Sequence, residues 1–248
     1  MYLHLFVIVA SVLAGCVASE LVQRLPGALE RSWQRQAQDI LGLTPDLQPT
    51  ARQRPGLTLN GRCLAIIVAN VAVSLAIVWQ AGFGWKAAAL LLLSWALLTL
   101  ALIDAEHYLL PDDLVGPVLW LGLLTNSFGL ITNLQDAVWG AACGYLSLWS
   151  INFLFRLLIG RDGMGNGDFK LLALLGAWGG WQLVPIILLS AAVLGLMFWS
   201  VHFMISMSRP KRELPFGPSL ALAGGLTIVF ADPNQWAHLF HALSANQL

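Results

Sequence analysis

The chain has 248 residues, of which 58% are hydrophobic and only 10% are charged, and its mean hydropathy is +0.73. Soluble domains carry about 25% charged residues, so this composition excludes an ordinary soluble domain and indicates a membrane protein whose main partner is the lipid bilayer. The formal net charge of zero gives no support to nucleic-acid binding. The three cysteines are isolated and form no C-x-x-C pair, so neither a disulfide framework nor a metal site is expected.

Apolar runs along the chain predict an all-α fold of about eight transmembrane helices in one integral membrane domain, residues 1–248. A crossing helix needs roughly 20 mostly apolar residues. The runs occupy residues 3–22, 63–83, 87–103, 114–131, 137–159, 171–178, 183–207 and 220–230. The sixth and eighth runs are shorter than a crossing requires, so the count depends mainly on the other six.

The basic residues test this topology, because cytoplasmic loops of membrane proteins are enriched in Lys and Arg. With the N-terminus outside, twelve of the thirteen basic residues lie on the inner side and only Lys86 lies outside. The inner set is Arg24, Arg31, Arg35, Arg52, Arg54, Arg62, Arg156, Arg161, Lys170, Arg209, Lys211 and Arg212. The charges and the span count therefore agree.

The inner loop at residues 23–62 is the only sizeable segment predicted outside the membrane. In LERSWQRQAQDILGL, Trp33, Ile40 and Leu43 alternate with charged groups, which fits either a short helix on the membrane surface or a solvated connector. The following TPDLQPTARQRPG, residues 44–56, is typical of an irregular linker.

Two further inner loops carry carboxylates. Asp104 directly follows the third apolar run, and Asp168 follows the alternate glycines of GRDGMGNGDFK. The G-x-G-x-G spacing differs from the dinucleotide-binding G-x-G-x-x-G, and an acidic side chain at the next position would repel a pyrophosphate. A nucleotide-binding loop is therefore excluded.

Carboxylates at membrane depth are costly and usually face a bundle interior or a watery cavity. If Asp104 and Asp168 lie close together, like-charge repulsion lets them share one proton, so that one activates a water and the other acts as an acid in peptide hydrolysis. The glycines would let a substrate backbone approach and would let Asp168 swing to its partner, because glycine tolerates conformations that other residues avoid. The spacing alone leaves open two alternatives, namely charges and turns without a catalytic role and a transporter with a carboxylate-lined cavity.

Two sequence signatures resemble those of a known family. GMGNGDFK, residues 163–170, and DAEHYLLPD, residues 104–112, resemble the paired signature of the type IV prepilin peptidases, which are intramembrane aspartyl proteases of the G-x-G-D kind. LAGCVASELVQRLP at residues 13–26 and LPFGPSLALAGG at residues 214–225 resemble further family segments. The matches are in the family's order and extend over most of the chain.

The resemblance implies a site and a reaction. The catalytic residues of the implied site are Asp104 and Asp168. The other motif residues have supporting roles, namely Asp112, Gly165, Gly167 and Lys170. The implied reaction removes the basic leader of type IV prepilins or type II secretion pseudopilins at the cytoplasmic side of the bacterial inner membrane, without a cofactor. A catalytically silent assembly partner is disfavoured because both motif aspartates are present.

The chain also departs from the family pattern. Many members carry a larger cytoplasmic insertion with two zinc-binding C-x-x-C pairs, whereas here PTARQRPG is followed almost directly by LTLNGRCLAII, so zinc is not expected. Members often also methylate the new N-terminus with S-adenosylmethionine. Because that activity is associated with the trimmed region, methylation is left open, and no residue is assigned to S-adenosylmethionine.

Overall fold

The computed structural model describes residues 2–41, 61–161, 163–206 and 215–230. All regular secondary structure in these ranges is helical, which confirms the all-α prediction. The helices are α1 (Tyr2–Leu41), α2 (Gly61–Ala81), α3 (Trp85–His107), α4 (Asp112–Ser127), α5 (Leu134–Ile159), α6 (Asn166–Gly179), α7 (Val184–Ser206) and α8 (Gly217–Phe230). Each predicted apolar run coincides with one of these helices, apart from residues at its ends.

Five of the helices are long and apolar enough to cross a membrane, namely α1, α2, α3, α5 and α7. The other three have 16, 14 and 14 residues, and α8 is the apolar one among them. The chain is thus a multi-pass membrane protein, and the count of eight crossings stays a prediction. Five of the basic residues used for the orientation lie outside the described residues: Arg52, Arg54, Arg209, Lys211 and Arg212.

Helix α1 is longer than the first apolar run predicts. The run ends at residue 22, but the helix continues through Pro26 to Leu41. The segment that fitted either a surface helix or a solvated connector is therefore helical as far as Leu41, with Ile40 exposed, and its contact with the membrane stays a prediction. Leu43 and the predicted linker at residues 44–56 lie outside the described residues.

The chain divides into two compact units, Met1–Leu75 and Ala76–Leu248. Within the first unit, α1 and α2 approach closely at Gly15, where a Cβ would lie 3.0 Å from the Ile67 Cα. The side-chain amide of Asn70 donates a 3.5 Å hydrogen bond to the Ser11 carbonyl oxygen in the same unit. All of the predicted site residues belong to the second unit.

Helix α6 is the core of the second unit. From Asp168 to Gly179 every residue except Lys170 is buried, and the helix packs against α4, α5, α7 and α8. It crosses α5 with backbones almost in contact, because a Cβ on Gly144 would lie 2.6 Å from the Leu172 carbonyl oxygen. Small residues permit such close approach between membrane helices.

Buried polar contacts hold the far end of α6. The Asn126 side-chain amide donates to the carbonyl oxygens of Ala177 and Trp178, at 2.9 and 3.0 Å, and its oxygen accepts from the Thr132 N–H. The Trp178 indole N–H donates to the Val118 carbonyl oxygen at 2.9 Å. Because α6 is thereby fixed to α4, the position of Asp168 at its other end is also fixed.

Candidate active site

Asp104 lies in the last turn of α3, and its side chain is buried. The helix ends directly after this turn because Tyr108 adopts a left-handed conformation with φ of 55°, and its N–H donates to the Asp104 carbonyl oxygen at 2.9 Å. Tyr108 is the only described residue other than glycine with a positive φ. The turn leads through extended backbone at Pro111 into α4.

Asp168 lies in the first turn of α6, outside the five candidate membrane spans, and its side chain is also buried. Burial raises the pKa of Asp168 to about 7, and the nearby charge of Asp104 acts in the same direction. The two carboxylates thus lie at the end of α3 and at the start of α6, and both helices pack against α8.

The start of α8 completes the surroundings of Asp104. Gly217, the first residue of α8, lies against the Asp104 carboxylate. A Cβ on Gly217 would lie 2.8 Å from the Asp104 Cγ and would overlap its Oδ2. Among the described residues, Oδ2 of Asp104 is buried without a hydrogen-bond partner. Sequence analysis did not assign a role to Gly217, although the segment that contains it carries part of the family resemblance.

The three glycines before Asp168 differ in how closely they are packed. None of them has a positive φ, and Gly165 has φ of −71°. Two of them are instead packed closely: a Cβ on Gly163 would lie 2.7 Å from the Phe155 ring, and one on Gly167 would lie 2.9 Å from the Leu110 Cβ. Gly165 is open, because the nearest atom to a Cβ there would be Oδ2 of Asp168 at 4.0 Å.

Asn152 on α5 anchors this glycine loop. Its side-chain oxygen accepts hydrogen bonds from the backbone N–H groups of Gly163 and Met164, at 2.8 and 3.2 Å. The loop is therefore held to α5 through its backbone. Asn152 was missed by sequence analysis, because it lies in an ordinary apolar helix and outside both signatures.

Two of the predicted supporting residues form an ion pair. Nζ of Lys170, near the start of α6, lies 2.7 Å from both carboxylate oxygens of Asp112, the first residue of α4. Both side chains are exposed, at 40% and 67%, and exposed pairs contribute at most about 1 kcal/mol. The pair therefore contributes mainly to the relative position of α4 and α6.

In the part of the chain that the structure describes, no three His, Cys, Asp or Glu side chains come together in a way that could hold a metal ion. Among the described residues, Asp104 and Asp168 therefore have no third side chain beside them that could complete a metal site. The expectation that no metal is required stays a prediction.

The sequence is similar to those of known proteins. Residues 90–200 match the model of the type IV leader peptidase family. The prepilin leader peptidase/N-methyltransferase of Pseudomonas aeruginosa is 40% identical over 259 aligned positions, which cover 91% of this chain and 89% of that protein. The chain belongs to the type IV leader peptidase family. The resemblance inferred from the two signatures is thereby confirmed.

Other members carry the same name. The prepilin leader peptidase/N-methyltransferase of Pseudomonas putida is 41% identical to this type IV leader peptidase. The alignment covers 90% of this chain and 89% of the Pseudomonas putida protein. The protein of the same name from Dickeya chrysanthemi is 37% identical, and the alignment covers 94% of this chain and 95% of that protein. No solved structure gives a significant match. The region matched to the family contains both Asp104 and Asp168.

Proposed function

We propose that this type IV leader peptidase is an aspartyl endopeptidase with Asp104 and Asp168 as its catalytic pair, and that it removes the leader of type IV prepilins or type II secretion pseudopilins. The name prepilin leader peptidase, carried by relatives about 40% identical over nine-tenths of the chain, supports the substrate. The observation that carries the proposal is that two buried carboxylates, 64 positions apart in the sequence, lie on helices that both pack against one helix, α8.

The proposed reaction uses one ionised and one protonated carboxyl group. The ionised member takes a proton from water, and that water attacks the carbonyl carbon of the scissile peptide bond. The protonated member donates a hydrogen bond to the developing oxyanion, and a proton then reaches the leaving amine. A pKa near 7 for Asp168 lets the pair hold one shared proton near neutral pH. The peptidase step requires water and no cofactor.

We place the site at the cytoplasmic face of the bacterial inner membrane. The distribution of basic residues supports this orientation, because it puts twelve of thirteen on the inner side. Asp104 lies in the last turn of a candidate span, so we infer that it lies near the membrane interface. A substrate with a basic leader in the cytoplasm and an apolar stem in the bilayer would present its scissile bond there.

The other motif residues are proposed to shape this site. The ion pair of Asp112 with Lys170 aligns α4 with α6, and the close packing of Gly167 on Leu110 joins the two signature segments. The open space at Gly165, next to the Asp168 carboxylate, offers room for a substrate backbone. Each of these residues thus has a distinct structural feature to which a role can be assigned.

Methylation of the new N-terminus with S-adenosylmethionine is proposed on the relatives' name alone. We propose that the loop at residues 23–62 lacks the zinc-binding insertion. In support, the alignment with the Dickeya chrysanthemi protein has 273 positions, more than the 248 residues of this chain, so that relative has residues without a counterpart here. Residues 42–60 of the loop lie outside the described residues. Mass spectrometry of the mature substrate's N-terminus, with the methyl donor present, would test the proposed methylation. An unmodified amine would contradict it.

Replacing either aspartate by asparagine tests the peptidase. Asp104→Asn and Asp168→Asn should each abolish leader cleavage of a coexpressed prepilin, because asparagine keeps the shape but cannot exchange the proton. Both variants should insert in the membrane and melt near the parent temperature. Cleavage at the parent rate by either variant would show that the assignment is wrong.

A further inference from the structure

We propose that Gly217 is a positioning residue and that the backbone at the start of α8 holds the Asp104 carboxylate in its reactive orientation. The proposal rests on the proposed function, because it concerns one member of the catalytic pair. It assigns a role to a residue that no aspartate signature includes.

The start of α8 is suited to hold a carboxylate. The first N–H groups of a helix have no acceptor within the helix and attract negative groups. Gly217 is the first residue of α8, and it packs so closely on Asp104 that a Cβ there would lie 2.8 Å from the Asp104 Cγ. Asp104 is buried, and its Oδ2, directed at this backbone, has no partner among the described residues.

Glycine is required at residue 217 by space and not by backbone conformation. Gly217 is absent from the described glycines with positive φ, so other residues could adopt its backbone conformation. A Cβ there would nevertheless lie 2.8 Å from the Asp104 Cγ and 3.2 Å from its Cβ, and it would overlap Oδ2. A methyl group would therefore rotate the carboxylate away or displace the start of α8.

Helix α8 is also placed to set the geometry of the pair. It packs against both α3, which carries Asp104, and α6, which carries Asp168. Helices α3 and α6 are joined mainly through α8 and α4 and have little direct contact. A displacement at the start of α8 would therefore change the position of one carboxylate relative to the other.

Three single glycine-to-alanine variants on α8 separate positioning from packing. In Gly217→Ala the added methyl group would overlap the Asp104 carboxylate. In Gly224→Ala it would lie 2.5 Å from the Leu175 methyl groups, and in Gly225→Ala it would have only Leu97 as a neighbour, at an ordinary contact distance of 3.5 Å. We expect Gly217→Ala to lower kcat about 100-fold, as a misplacement of about 1 Å can, with KM changed less than twofold. Gly224→Ala should lower the melting temperature while kcat, measured below that temperature, stays near the parent value. Gly225→Ala should resemble the parent in both.

A double-mutant comparison tests the contact without relying on activity. In the parent background Gly217→Ala should lower the melting temperature in detergent, whereas in the Asp104→Ala background the space left by the carboxylate should accommodate the methyl group with little change. Parent-like kcat for Gly217→Ala, or the same loss of melting temperature in both backgrounds, would overturn the proposal. Failure of the proposed function would give a different result, because the Asp104→Asn variant would then still cleave prepilin.

Discussion

Lys170 and Asp112 lie 58 positions apart in the sequence, and the Lys170 ammonium contacts both oxygens of the Asp112 carboxylate at 2.7 Å. One residue belongs to each family signature, and neither is part of the catalytic pair. The contact joins the starts of α4 and α6 beside the buried aspartates. It therefore links the two loops whose relative position the chemistry needs.

Breaking this ion pair should slow cleavage without unfolding the protein. Lys170→Met or Asp112→Asn should reduce the rate several-fold and change the melting temperature only slightly, because an exposed pair contributes at most about 1 kcal/mol. The charge-swapped double variant, Lys170→Asp with Asp112→Lys, should recover part of the rate. If the single variants cleave like the parent, or the swap recovers nothing, Lys170 acts only as a basic residue of the inner face.

Gly165 and Gly167 should respond differently to alanine. Gly165→Ala meets no atom closer than 4.0 Å, so the melting temperature should stay unchanged, while KM for a prepilin substrate should rise if the backbone of the substrate occupies that space. Gly167→Ala should lower the melting temperature, because its Cβ would lie 2.9 Å from the Leu110 Cβ. Adding Leu110→Ala should relieve this loss. An unchanged KM in Gly165→Ala would show that the substrate does not use the open space.

Cleavage should become slower as the pH rises above about 7. The pKa of Asp168 is raised to about 7, so Asp168 keeps its proton below this value and loses it above. Because two ionised carboxylates leave no acid for the oxyanion, kcat measured in detergent should fall between pH 7 and pH 9. Melting temperatures over the same range serve as the control for unfolding. A kcat that stays constant or rises to pH 9 would contradict the shared-proton mechanism.

The crossing of α5 and α6 should tolerate no added methyl group. Gly144→Ala would place a Cβ 2.6 Å from a backbone carbonyl oxygen, which cannot move as a flexible side chain can. Overpacking of this kind costs about 1–3 kcal/mol, so the melting temperature should fall by several degrees. Gly116→Ala in α4 is the matched control, because nothing lies within 4 Å of its added methyl group. Equal melting temperatures for the two variants would contradict the close crossing.

Chelators should leave the peptidase active. No cluster of three metal-binding side chains occurs in the described ranges, and the proposed chemistry uses only two carboxyl groups and water. Preincubation with EDTA or 1,10-phenanthroline should therefore leave the cleavage rate of purified enzyme unchanged. A loss of activity that is restored by added zinc would contradict the expectation and point to ligands elsewhere in the chain.

Helix positions could be predicted from sequence because they depend on local properties. A run of apolar residues must bury its backbone polar groups by forming a helix in lipid, so the eight runs and the eight helices coincide. The end of α1 was predicted less well. Hydrophobicity shows where lipid burial ends. The residues after Pro26 nevertheless include many good helix formers, such as Ala28, Leu29 and Glu30, and the helix continues to Leu41.

The sequence by itself determined the membrane class, the helices and the two candidate aspartates, because each is a property of a residue type or of a short window. Only the tertiary structure decided what surrounds Asp104 and Asp168. The contacts of Gly217 and Asn152 are made by or to backbone atoms of distant segments, and backbone atoms are the same in every residue. Such contacts leave no pattern in a single sequence, since they arise only when separate helices pack together.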